Sequence, residues 1–399
     1  MNSQSPHHPR YLVAILIVAV LLVSAMLSAV PLFLEGVQRS ADTKNFLRCA
    51  TSMLEQPGLG KAITDILISP WCRSYTGFLI ILAPIIYLFG DQWNLVLVSL
   101  NILFHSIAIT LCFTLIYHLT QKISLSFATA ALLAFSVDVL IRVHWPLADS
   151  FFFMMTTMAF VGVSLAIIYP HSKGITLAAL LVLVLAGLTK PHGLIILSIG
   201  LPAVLVRAWL ANLRSEVALV ILCLTISLIV TSFLLISWII NPEYQPLNFE
   251  VAIMKEFLMS GQVIEGVYST YNSGTDRFFV RFWTMCERFL TFFSFFPVHW
   301  SNQHIALSSM FFIPSYLGIV FCWIRLAKNR LDAKFNGVVL LFTLWILGFA
   351  TFAGWFDVSY EFRYRLPIMG LFAVGATLGL YAMVSRKLPI TDLKPSERA

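Results

Sequence analysis

Asp42, Arg73, Asp149, Lys190, Arg277, Arg281, Arg363 and Arg365 share one property. Each is an ionisable residue in a loop or at a span end that borders the long apolar runs. An ionised side chain near membrane depth costs a few kcal/mol or more, so such residues are functional candidates by default. A carboxylate in that setting can take a proton from a hydroxyl. Guanidinium and ammonium groups can neutralise a phosphate, arginine by two parallel hydrogen bonds and lysine as a point charge. The nine histidines have no metal-ligand spacing, and no HExxH or CxxC pattern occurs. Lys190-Pro191-His192-Gly193 is not a phosphate-binding loop, and nothing marks a nucleotide site.

The elements that must position these charges follow from composition. Of 399 residues, 59% are hydrophobic and 11% charged, against roughly 25% charged in a soluble domain. Apolar runs of about 20 residues recur, long enough to cross a hydrocarbon core as helices. They lack the period-2 alternation of a barrel, the other architecture that satisfies every backbone group in lipid. The chain therefore reads as an all-α polytopic membrane protein, a single transmembrane domain over 1–399. The net charge of +7 has no soluble domain to cluster on, which argues against a nucleic-acid partner; positive charge at cytoplasmic edges is its ordinary source.

Expected spans are 11–34, 94–118, 124–141, 149–169, 175–189, 193–212, 217–240, 304–324, 335–354 and 366–384. The apolar stretch from Tyr75 to Phe89 is only 15 residues long, and if it spanned every later loop would change sides. Treating it as an interfacial helix puts Lys122, Lys173, Arg207, Arg214, Arg325, Lys328, Arg330, Lys334, Arg386 and Lys387 on one side with the N-terminus, as the positive-inside rule requires. Both termini and the tail 385–399 are then cytoplasmic, and the loops 35–93 and 241–303 are extracytoplasmic. The expected location is a bacterial cytoplasmic membrane with the site facing outward.

In the first loop, Ser40 is placed to cap a surface helix, with Asp42 in its first turn near the positive end of the macrodipole. Phe46, Leu47, Ala50, Met53 and Leu54 share one face, and Lys44, Arg48 and Glu55 the other. Cys49 and Cys72 fall in this loop and can pair if it is extracytoplasmic; proximity is not readable from spacing. In the large loop, 275–293 reads as an interfacial helix. Arg277, Arg281 and Arg288 fall within an arc of about 40°, beside a face of Phe278, Phe282, Met285, Phe289, Phe292 and Phe293. Those arginines suit lipid head groups or a substrate phosphate. Asp149 and Lys190 equally suit ion-paired positions at span ends, and Arg363 and Arg365 suit flank anchors that snorkel.

Taken in order, these residues resemble the GT-C superfamily of membrane glycosyltransferases. The likeness is to the branch of protein O-mannosyltransferases and the lipid A aminoarabinose transferase. It rests on Asp42-Thr43-Lys44-Asn45-Phe46 followed by Ala50, on Arg73 before the helix ending at Phe89-Gly90, on Leu147-Ala148-Asp149, on Leu188-Thr189-Lys190-Pro191, and on Arg363-Tyr364-Arg365-Leu366-Pro367. Ser40 and Ala41 stand where the family carries a second acid, and Ser74-Tyr75 where it carries paired prolines. The resemblance implies a GT-C-like fold with interfacial helices in both large extracytoplasmic loops. It implies a polyprenyl-phosphate sugar donor, an extracytoplasmic glycan, lipid or protein acceptor, and inversion at the anomeric carbon. Asp42 becomes the catalytic base; Arg73, Asp149, Lys190, Arg277, Arg281, Arg363 and Arg365 bind substrate. No cofactor is certain, and a divalent metal is left open. Two other classes fit the same composition. One is an O-antigen ligase or polymerase using a polyprenyl-diphosphate glycan; the other is a transporter, which should carry charges near mid-membrane.

Overall fold

The computed structural model describes residues 10–58, 60–62, 64, 72, 75–190, 192–211, 286, 289–294, 301–328, 333–356 and 365–384. All regular structure among these residues is helical. The helices are α1 (Arg10–Glu35), α2 (Ala41–Leu54), α3 (Thr76–Phe89), α4 (Trp93–Thr120), α5 (Ile123–Ala134), α6 (Val137–Leu140), α7 (Ala148–Ile168), α8 (Lys173–Gly187), α9 (Gly193–Ala211), α10 (Asn302–Ala327), α11 (Ala333–Phe356) and α12 (Met369–Val384). Short 3-10 turns, Gly90–Gln92 and Leu366–Ile368, lead into α4 and α12.

Among the described residues, six stretches are long and apolar enough to cross a bilayer: Tyr11–Glu35, Thr76–Thr120, Ala148–Ile168, Asn302–Ala327, Phe335–Ala353 and Leu366–Val384. Ile123–Ala134, Lys173–Gly187 and Gly193–Leu205 are shorter apolar helices. The chain is a multi-pass integral membrane protein. α1 shows why burial alone does not define a core here. Ile15, Leu22, Met26 and Phe33 face outward, while Val20, Ser24 and Ser28 face inward. The outward row is the face a helix turns to lipid tails, which are as apolar as leucine.

The stretch 76–120 is not one straight rod. At 1.5 Å per residue it would reach about 67 Å, twice the hydrocarbon thickness. Gly90 breaks it, with φ +51° and ψ −126°, a left-handed conformation that glycine enters without a Cβ penalty. α3 is thus a separate helix of 14 residues.

α7 and α12 form the centre, and nearly every side chain of both is buried. α12 packs on α10 through small residues: Gly318 and Gly379 face one another, and a Cβ on Gly318 would lie 2.5 Å from the Ala376 Cα. Without a hydrophobic drive between helices in lipid, close backbone approach of this kind supplies the association. Thr129 on α5 adds an interhelical hydrogen bond by donating to the Thr377 hydroxyl at 3.0 Å.

One expected span differs. The stretch 124–141 does not run as a single helix: α5 ends at Ala134, Phe135 and Ser136 turn, and α6 follows as a short separate piece. The break swings Asp138 away from the lipid and into side-chain partners described below. The expected span 217–240 lies outside the described residues, as does the tail 385–399. Of the arginine-bearing helix expected over 275–293, Cys286 and residues 289–293 are described.

A candidate site at one end of the bundle

The first loop builds its half of the site from local sequence. Ser40 caps α2: its hydroxyl accepts from the Thr43 N–H at 3.3 Å, and its own N–H donates to the Thr43 hydroxyl at 3.1 Å. This reciprocal cap fixes where the helix starts and so places Asp42 in the first turn, half-buried. One turn on, Phe46, Cys49 and Ala50 form the buried face, and Lys44, Arg48 and Glu55 the exposed one. Leu54, expected on the inner face, is exposed.

Two kinds of contact hold α2 on α3. Phe46 meets Tyr75 and Phe78 edge-on, with ring centroids 4.9 and 5.0 Å apart. Cys49 and Cys72 are joined as a disulfide with Cα atoms 5.8 Å apart. The expectation left open in the sequence is thus resolved in favour of pairing.

α3 in turn docks on the turn that carries Lys190. The Gly77 N–H donates to the Leu188 carbonyl at 2.8 Å. A Cβ at Gly77 would lie 3.0 Å from that oxygen, so the approach depends on glycine. Phe78 also contacts Phe151 (6.4 Å), which contacts Phe104 (5.2 Å). Phe151 is two residues beyond Asp149, and Leu188 two before Lys190. Asp149 and Lys190 are themselves a hydrogen-bonded ion pair, with the Lys190 Nζ 5.9 Å from the Phe152 ring centroid. Beside them the His192 ring lies against Phe352 (4.2 Å) and stacks on Phe349 (6.1 Å).

The corner between α5 and α7 collects polar contacts from the rest of this end. Asn101 donates to the carbonyls of Val143 (3.3 Å) and Trp145 (2.8 Å). His105 is hydrogen-bonded to Ser150 at 3.0 Å. The Gln38 N–H donates to the His144 carbonyl at 3.2 Å, and Glu35 Oε2 lies 3.1 Å from His144 Nε2. Burial pushes the His144 imidazole below its ordinary pKa; the Glu35 carboxylate opposes this, and nearby Arg142 adds to it.

Asp138 is the residue that sequence reasoning passed over. Its Oδ1 is 2.9 Å from His304 Nε2 and accepts from the Ser308 hydroxyl at 3.2 Å. Its Oδ2 pairs with the Arg365 guanidinium at 3.5 Å, long for a hydrogen bond but close for an ion pair. The signal was present, since a carboxylate inside an expected span should have been flagged by its cost alone.

Of the expected site residues, Asp42, Asp149, Lys190 and Arg365 are described, and all four belong to this end of the molecule. Asp42 and the Asp149–Lys190 pair belong to one contiguous packing unit. Arg365 instead pairs with Asp138. Arg73, Arg277, Arg281 and Arg363 lie outside the described residues. The basic residues Lys122, Lys173, Arg325 and Lys328 occur at the other ends of the same helices. No group of three His, Cys, Asp or Glu among the described residues is arranged to hold a metal ion. No protein-family model matches the chain, and neither a curated protein nor a solved structure does.

Proposed function

We propose that the chain is a GT-C-like glycosyltransferase that moves a sugar from a polyprenyl-phosphate donor to a hydroxyl on an extracytoplasmic acceptor. One observation carries this reading. The helix bearing Asp42 is stapled to α3, and α3 is seated by Gly77 on the turn of Lys190, whose ammonium pairs with Asp149. A carboxylate and a cation from distant parts of the chain are thereby built into one unit at the edge of the apolar bundle.

In the proposed reaction Asp42 takes the proton of the acceptor hydroxyl as its oxygen attacks the anomeric carbon. The bond from that carbon to the phosphate oxygen breaks on the opposite face, giving inversion and a free polyprenyl phosphate. A glycosidase needs a second carboxyl group to protonate an alkoxide. A phosphate leaves as a stable anion, so a cation can replace that acid. Lys190 supplies the cation among the described residues, and Asp149 holds its ammonium in place. Arg73, Arg277, Arg281 and Arg363 are further candidates for the phosphate.

The full reading has ten spans. The end carrying Asp42 faces outward, and the end carrying Lys122, Lys173, Arg325 and Lys328 faces the cytoplasm. The disulfide supports that orientation, since such bonds persist in oxidising compartments.

The test is transfer from radiolabelled polyprenyl-monophosphate sugar by the purified chain in proteoliposomes. Asp42→Asn is expected to lower turnover by about 10²–10⁴, the usual share of general-base catalysis, with an unchanged thermal midpoint. Near-wild-type turnover in a correctly inserted variant overturns the assignment. Activity with the diphosphate donor alone replaces this reading by the ligase class.

A further inference from the structure

Of the buried charged groups at this end, the proposed reaction leaves Asp138 and Arg365 unused, 1% and 3% exposed. Each is engaged on several sides. Asp138 takes His304 and Ser308 on one oxygen and Arg365 on the other. One terminal nitrogen of Arg365 donates to the carbonyls of Phe292 (3.4 Å) and Ser294. The Phe312 ring lies 4.5 Å from its central carbon. The carbonyl between those two, that of Phe293, accepts from the Tyr316 hydroxyl at 2.6 Å. Three consecutive carbonyls are therefore held by side chains of α10 and of the α12 entry. They close a helical segment over 289–292, where exposed carbonyls and the dipole both favour a cation.

We propose that Asp138 and Arg365 form a clasp. It seats the end of the large loop, Phe292–Ser294, on the corner from which α7 departs and presents Asp149. Both are positioning residues rather than groups that touch substrate. The chemistry requires arginine. A planar fork reaches two carbonyls and a carboxylate at once, whereas an ammonium is a single point. Asp138 keeps the buried guanidinium compensated and aims it. Retaining a buried ion pair where an apolar contact would be at least as stable is the behaviour of a device that fixes one geometry.

The test is hydrogen exchange read by mass spectrometry on the full chain in nanodiscs. The Phe293 and Ser294 amides, which donate to Leu290 and Thr291, report on the clasped segment. Two variants are used: Arg365→Lys, and the doubly neutral Asp138→Asn/Arg365→Gln. In each, exchange of this segment is expected to rise about tenfold or more while that of α3 stays at the wild-type rate. Arg365→Lys keeps a charge opposite Asp138, so it decides the matter if the double variant is not recovered folded. Wild-type exchange at Phe293 and Ser294 in Arg365→Lys overturns the clasp. So does an equal rise over all peptides, which signals general loosening. A second readout rests on the proposed function: Arg365→Lys raises the donor KM with kcat little changed. If the wild-type chain transfers no sugar, that reading falls while the exchange result still judges the clasp.

Discussion

Two acid–cation pairs stand at the same end of this bundle, and they are built differently. Asp149 and Lys190 join α7 to the turn between α8 and α9, and the Lys190 side chain is 13% exposed. Of the three donors of its ammonium, Asp149 engages one among the described residues. The Arg365 side chain is 4% exposed, and it is tied to a carboxylate, two carbonyls and a ring. A cation whose two terminal nitrogens are both bonded to the protein organises the fold. One that keeps donors and some exposure is suited to an anionic ligand. Sequence placed both cations in one functional group; geometry separates them by what else they hold.

The largest effect should come from the enclosed pair. Asp138→Ala leaves a buried guanidinium uncompensated and is expected to cost about 3–5 kcal/mol, read as a collapse of the thermal midpoint in detergent. The doubly neutral Asp149→Asn/Lys190→Met, which strands no charge, should lose far less stability but reduce sugar transfer about 100-fold. Equal destabilisation by the two variants would erase the distinction. Next comes the staple. Cys49→Ser with Cys72→Ser should cost about 2–4 kcal/mol and raise hydrogen exchange in α2, leaving the segment at Phe292–Ser294 protected. Exchange rising equally in both places would mean that the two pairs are not independent units. The smallest effect belongs to Gly77→Ala, whose methyl must push the Leu188 carbonyl back by a few tenths of an ångström. A loss of about 1 kcal/mol is expected, with a larger fall in transfer than in thermal midpoint. A variant that keeps full activity would remove the docking of α3 from the positioning of Lys190.

Much of the Asp149–Lys190 side was legible in sequence because local rules govern it. The Ser40 cap, the first-turn position of Asp42 and the two faces of α2 follow from spacing alone. The entry of α7 near Asp149 and the turn at Lys190 follow from where apolar runs stop. The Asp138 side was not legible, for two physical reasons. The apolar run over 124–141 hides the break at Phe135–Ser136, because tertiary partners rather than turn residues pull Asp138 inward. Arg365 and Asp138 are also 227 positions apart, and no periodicity reports a contact at that distance. Gly77 and Leu188 illustrate the same limit, since their hydrogen bond joins two backbones and a glycine in the sequence does not name its partner.

The bond between Cys49 and Cys72 also carries a consequence for biosynthesis. The two sulfurs flank the segment that leads from α2 into α3, so they meet only after both have emerged on the same face of the membrane. The bridge is thus a covalent record of correct insertion, written after translation by whatever oxidises thiols on that face. A chain produced where no such oxidant acts would insert its spans yet leave the helix of Asp42 without its covalent tether. Production in an oxidation-deficient host would separate membrane assembly from completion of the site.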